Sequence, residues 1–296
     1  MAIELPSLSA IGAQAVSGLT TAMLLFLVAS GLSLIFGVLR LLNFAHGSFY
    51  MLGAYFAWQF NAWLQDSFWL SVLFAAIATG VLGALLERVL FRKFYDRPEL
   101  MQLLFTYSIV LIVSDVVKYI WGTQQLGVRR PEILSHTFQF GELALPSYNL
   151  MIIVISLAIA VGIWLLLQGT RLGKTVRAAA FDREMLSMLG VDVRMLYLLV
   201  FSAGCFLAGL AGALVAPMSA IVPGMDADII ISLFIIVVIG GLGSFWGTFL
   251  GSIIYGMVFS FGILFIPQFS LFAVALIMAV ILIVKPEGLL GRENTR

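Results

Sequence analysis

Apolar residues run along this chain in long unbroken blocks separated by short charged stretches. Leu5 to Leu39, Leu41 to Gln65, Ser67 to Leu86, Leu143 to Thr170, Met195 to Met225 and Ile229 to Val284 carry no Asp, Glu, Lys or Arg. Another block, Leu100 to Trp121, is interrupted near its end by Asp115 and Lys118. A helix crossing ~30 Å of hydrocarbon needs roughly 20 apolar residues, so each block supplies at least one crossing. A membrane barrel would show ten-residue alternation instead, and open backbone in lipid leaves polar groups unpaired. The pattern predicts an all-α, polytopic integral membrane helix bundle of eight or nine membrane elements, forming one transmembrane domain over residues 1–296. The block from Ile229 to Val284 is too long for one element. Gly240, Gly241 and Gly243, then Pro267, are its natural breaks, which makes Ile229 to Ile239 a dipping half-helix or a short span.

Composition agrees and narrows the class. Of 296 residues, 62% are hydrophobic and 10% charged, against about a quarter charged in soluble domains. A soluble globular enzyme is excluded. The net charge of +1 offers no basic field for nucleic acid. Cys205 is the one cysteine and His46 and His136 the two histidines, so little material exists for a disulfide, a metal site or a triad. No zinc helix motif, no intramembrane aspartate pair and no arginine series of a voltage sensor is present. No basic start followed by a small-residue cleavage site suggests a removable leader.

Charge also orients the chain. The loop 87–99 holds Arg88, Arg92, Lys93 and Arg97; the loop 171–194 holds Arg171, Lys174, Arg177, Arg183 and Arg194; the tail holds Lys285, Arg292 and Arg296. The positive-inside rule makes all three cytoplasmic, and residues 122–147 extracytoplasmic. That outer connection is polar, with Gln124, Gln125, Arg129, Arg130, Glu132, His136 and Glu142. It is either a plain solvated link or a surface for an external partner. Counting one crossing in Met195 to Met225 and two in Ile229 to Val284 gives an odd number between the second loop and the tail.

Small residues at spacing four mark helix contacts in membranes. Gly243, Gly247 and Gly251 are expected on one helical face, as are Gly204, Ala208 and Gly212. The segment Gly169 to Thr175 mimics a phosphate loop, but it has three residues between its glycines where four are required, and it follows a membrane helix. Nucleotide binding by this chain is therefore rejected. The loop 171–194 reads better as a docking element. Ala178, Ala179 and Ala180 favour helix after Arg177. Asp182 caps a short helix through Met185, Leu186 and Leu189, which Gly190 ends. An apolar stripe runs beside Arg183, Glu184 and Ser187. The stripe is short and its charges mixed, so a groove in a soluble partner fits it better than lipid headgroups.

Between the first two blocks stands Asn43-Phe44-Ala45-His46-Gly47-Ser48. Polar groups there are costly unless paired. His46 is either hydrogen-bonded to backbone at a helix break, the commoner case, or a contact on a solute or proton path. Asp115 and Lys118, three residues apart, are expected to pair with each other.

The stretch Gly31 to Gly47, with Gly37, Arg40, Asn43 and His46, resembles the opening of the LivH-type permeases of branched-chain amino acid ABC transporters. Pro223-Gly224-Met225-Asp226 followed by Val238 to Ser244 is similar to their second signature, and Gly173 to Val191 to their coupling loop. The resemblance implies a permease of the ABC importer type in a bacterial inner membrane, with its C-terminus cytoplasmic. It would act with a second homologous permease, the same or a relative, with two cytoplasmic ATPase subunits that bind ATP and Mg, and with an external solute-binding protein. The chain itself would be a transport subunit and hold no cofactor. Family members often carry an acidic residue after the His-Gly pair; here Ser48 stands there. The expected solutes are hydrophobic amino acids first, then urea, short amides or aromatic acids. The competing reading is a passive channel or ion-coupled carrier acting alone, which would need charged mid-membrane sites; a membrane enzyme lacks a constellation of residues.

Overall fold

The computed structural model describes residues 7–140 and 143–291; Glu142, Arg292 and Arg296 lie outside them. Eleven α-helices are found among the described residues. Helix α1 (Leu8–Leu39) starts where the Ser7 hydroxyl caps the Ala10 amide and ends where Arg40 turns left-handed. It is apolar on all sides, and such a helix belongs in the interior: Ala22 and Phe26 to Ala29 are wholly buried. Around it stand α2 (His46–Trp63), α3 (Phe68–Val89), α4 (Glu99–Trp121), α5 (Ser147–Gly169), α8 (Val193–Val215), α9 (Met225–Gly240), α10 (Phe245–Phe265) and α11 (Ser270–Val284). Seven described helices are long and apolar enough to cross a membrane. The last of the seven combines α11 with the turn at Pro267–Phe269 that leads into it, and α2 and α9 lie among them. The protein is thus a polytopic all-α membrane protein.

Helix contacts are made at glycine. A β-carbon on Gly31 of α1 would lie 2.7 Å from the Gly204 carbonyl oxygen of α8, and one on Gly83 of α3 would lie 2.6 Å from the Cys205 sulfur. Gly53 and Gly212 bring α2 and α8 together in the same way. The expected three-glycine face at the start of α10 is divided. Gly247 and Gly251 do lie in α10, against α9. Gly243 precedes the helix, at φ +77°, and packs on Gly37 of α1. The chain must turn there, because α9 ends at Gly240 and Gly241 takes φ +101°, a conformation that L side chains resist. The returning tail ties this turn down: Leu289 and Leu290 amides donate to the Ile239 and Gly240 carbonyls.

The crossing count also differs from expectation. Basic loops on one side need an even number of crossings between them, and α8, α9, α10 and α11 supply four elements. Helix α9, with 16 residues, returns the chain to the end where Arg40, Arg177 and Glu287 line one cavity. The opposite end carries the antiparallel hairpin of β1 (Thr137–Phe140) and β2 (Leu143–Pro146). This connection is largely exposed but carries local structure. Leu126 pairs with Ile221, and the Arg130 guanidinium donates to the Pro217 carbonyl at 3.1 Å while lying over the Tyr148 ring. Lys118 and Asp115 pair at 3.2 Å on an exposed face.

Gly31→Leu should destabilise the folded protein by about 1–3 kcal/mol, the usual cost of overpacking, whereas Gly162→Ala on α5, where nothing lies within 4 Å, should be neutral. Thermal unfolding of the purified protein in detergent checks both.

Candidate functional site

At the basic end, loop 171–194 folds into two helices joined at one residue. Helix α6 (Arg171–Phe181) opens under the Thr170 hydroxyl, which caps the Gly173 amide. Asp182 then ends α6 and starts α7 (Arg183–Met188), its carboxylate accepting from the Glu184 and Met185 amides at 2.9 and 3.0 Å. Gly190 closes the segment at φ +84°. Leu186 is buried and seats α7, and Ala179 does the same for α6. Met185, Met188 and Leu189 face outward with 62%, 84% and 75% of their surface exposed. Ala178 and Glu184 are also exposed. The stripe is therefore split: one residue anchors the helix and three offer an apolar face.

The sequence reading missed the polar anchor beneath α7. Glu87, in the last turn of α3, is wholly buried. Its carboxylate accepts from Arg92 at 3.1 Å and from the Tyr95 hydroxyl at 3.0 Å. Burial and the neighbouring Glu87 charge push the Tyr95 phenol well above its ordinary range, so it stays a hydrogen-bond donor. The Tyr95 ring meets the Tyr197 ring edge-on at 5.3 Å. Arg183 reaches Asp96 at 3.3 Å, and the Tyr197 hydroxyl beside it helps to raise its guanidinium pKa. The two basic loops are thus joined through acidic and aromatic partners, which a count of loop charges treats as noise.

Inside the bundle, α1 gives way to an unwound stretch before α2 begins. The His46 ring Nε2–H donates to the Val28 carbonyl of α1 at 3.0 Å, the structural role weighed for it. Gly47 lets the start of α2 press on the backbone of Asp226 in α9. The Ser48 hydroxyl donates to the Asp226 carboxylate at 2.9 Å, and both residues are buried. Both signature stretches therefore meet, 178 positions apart. The first turns of α2 and α9 are the positive ends of two helix dipoles, and Asp226 sets a negative charge between them. The side-chain amide of Asn43, Nδ1 of His46 and the Tyr55 hydroxyl are buried there without a hydrogen-bond partner among the described residues.

The profile of the family described as branched-chain amino acid transport system, permease component, matches residues 14–285. The chain belongs to this family. It is 30% identical to the high-affinity branched-chain amino acid transport system permease protein BraD of Pseudomonas aeruginosa, over 95% of this chain and 96% of that one. It is 24% identical to the permease protein LivH of Escherichia coli, over 95% and 96% of the two chains. It is also 24% identical to that organism's permease protein LivM, over 92% of this chain and 68% of LivM. No solved structure matches the permease significantly.

Ser48→Ala in this permease leaves the Asp226 carboxylate one hydrogen bond short and should cost about 1–3 kcal/mol. Ser48→Asp sets a second carboxylate against Asp226 and should cost at least as much, and adding Asp226→Ser should restore most of the loss. Thermal midpoints of the three variants in detergent check the pairing.

Proposed function

We propose that this permease is the membrane-spanning subunit of an ATP-driven importer of branched-chain amino acids or related small solutes, resident in a bacterial inner membrane with the tail cytoplasmic. The observation that carries the reading is α7: a short, capped helix outside the bundle, seated by Leu186 and Arg183, with Met185, Met188 and Leu189 turned to solvent. A short helix with an apolar face and a fixed base suits a groove in a soluble partner. Two ATPase subunits would grip it, and they would hold ATP and Mg; the permease needs neither. A second permease, the same or a relative, would complete the membrane unit, and the likeness to both LivH and LivM makes a relative the natural choice. A solute-binding protein would deliver the solute at the end that carries the hairpin and would set most of the specificity.

Energy enters by population shift. Nucleotide closes the ATPase pair, and the closed pair binds one permease conformation better than the other, so the inward and outward populations move by that difference. Helices then tilt as units, because packed interfaces switch between arrangements rather than deform continuously. In this scheme the junction at Asn43, His46, Gly47 and Ser48 lies beside the path, and Gly240 and Gly241 set the angle at which α9 leaves it.

Two variants test this. Gly190 sits at φ +84°, which proline cannot adopt, so Gly190→Pro should displace the end of α7. Arg183→Glu with Glu184→Arg breaks the pair with Asp96. Both should insert normally and lose ATP-coupled uptake by roughly tenfold, the effect of about 1.4 kcal/mol of docking energy. ATPase co-purifying at normal yield with either variant would count against docking at α7, and uptake by this chain without ATPase subunits would overturn the importer reading in favour of a channel or carrier.

A further inference from the structure

A cavity of about 660 Å³ opens at the basic end, between α1, α5, α6, the turn before α10 and the returning tail. It lies at the edge of the bundle rather than on its axis. Helices α5 and α11, which border it, are the least buried of the candidate membrane spans, so one side of the cavity faces hydrocarbon. Trp164 of α5 and Trp246 of α10 stand on that side, ring centres 6.3 Å apart. They keep 36% and 49% of their surface exposed. Trp164 is close to the end of α5 at Gly169, about 7–8 Å along the axis. That is the level at which tryptophan rings gather between headgroups and hydrocarbon.

The mouth is charged. Arg40, Arg177 and Glu287 line it, and none of the three has an ion-pair partner among the described residues. Arg40 ends α1 in a left-handed turn at φ 52°. The Arg177 guanidinium donates to the Gln168 side chain, which steadies it at the rim. Lys285, near Glu287 on the tail, is occupied elsewhere: its ammonium donates to the Leu289 carbonyl at 2.7 Å. Past the rim the lining is apolar, with Leu34, Val238, Phe245 and Leu282. Two guanidinium groups and one carboxylate therefore stand over an apolar cleft that borders lipid.

Basic pockets between membrane helices at the cytoplasmic level suit phospholipid headgroups. A phosphate pairs with guanidinium through charge-assisted hydrogen bonds. The carboxylate of Glu287 then calls for a cation with N–H to donate. A primary ammonium supplies it; a choline group has no N–H, and a glycerol headgroup has no cation. Acyl chains fit the apolar cleft and leave past the two indoles. We infer that this cavity is a phospholipid site in the leaflet at the loop end, selective for headgroups that join a phosphate to a primary ammonium, as in phosphatidylethanolamine. The site concerns what braces the permease from the membrane, not what it carries, so it stands apart from the importer reading. Arg177 and Ala180 line the cavity, and Phe181 of the same helix leads into α7, so a bound headgroup steadies α6 next to the place where α7 begins.

The test is native mass spectrometry of the full-length permease purified in detergent. The probes are phosphatidylethanolamine, phosphatidylcholine and phosphatidylglycerol with identical acyl chains. The permease should retain phosphatidylethanolamine about tenfold more tightly than phosphatidylcholine, the effect of one hydrogen bond to a charged group. Glu287→Gln should bring the two lipids together. Arg40→Asn should weaken both, because asparagine tolerates the left-handed turn and removes the charge. Glu287 is exposed, so Glu287→Gln decides the matter if Arg40→Asn does not fold. Glycerophosphoethanolamine, the headgroup without acyl chains, should not displace the lipid at equal concentration. If it does, the site belongs to a soluble phosphate ester and the inference falls. A preference for phosphatidylethanolamine that survives Glu287→Gln, tighter retention of phosphatidylglycerol, or no retained lipid also overturns it.

Discussion

Backbone pressed against backbone at glycine holds this protein together. In lipid, apolar side chains gain nothing by leaving one helix surface for another, so association rests on close van der Waals contact. Gly31 on Gly204, Gly53 on Gly209 and Gly247 on Gly240 bring main chains within reach where any β-carbon would intrude. The result is a buried central post, α1, with α8 and α10 fitted along it. Helices such as α5 and α11, which have few such contacts, are mostly exposed. The tightly packed half gives a rigid frame, and the loosely packed half borders the cavity at the basic end.

That frame allows two helices to begin inside the bundle. Helix α2 and helix α9 start where their amide ends overlap, and the Ser48–Asp226 hydrogen bond closes the junction. Burying a carboxylate is expensive without partners; the Ser48 hydroxyl donates to this one, at the positive end of the α9 dipole. The relation between positions 48 and 226 gives a reason for serine here: with the negative charge already carried on α9, an acid at 48 would face a like charge. His46 pins the start of α2 to the middle of α1. Discontinuous helices of this kind are where membrane proteins place polar backbone next to a path.

The basic end is organised around a second buried carboxylate. Glu87 collects Arg92 and Tyr95, and Tyr95 stacks its edge on Tyr197 beside Arg183. Helix α7 is too short to be stable alone, so its position depends on Leu186, on the Asp182 cap and on this anchor. The base of α7 is thus fixed against α8 while α6 leads from it to the wall of the cavity.

The all-α membrane architecture was legible in the blocks of apolar residues, because hydrocarbon thickness dictates run length and lipid forbids open backbone. The cap at Asp182, the stop at Gly190 and the break at Gly241 were also legible, since these are local backbone chemistry. The sequence could not divide the stripe of α7 into Leu186 inward and Met185, Met188 and Leu189 outward, nor tell that Gly243 belongs to a turn rather than to the face of Gly247 and Gly251. Nor could run length show that residues 137–140 and 143–146 pair as a hairpin, or that four helices, α9 among them, follow loop 171–194. Ser48 and Asp226 stand in separate motifs that nothing local joins, and Glu87 is one acid in a loop dominated by basic residues. The difference is range: run length, caps and helix stops are set within a turn or two of chain, whereas which glycine meets which backbone, and which buried charge finds its partner 178 positions away, is decided when the helices pack.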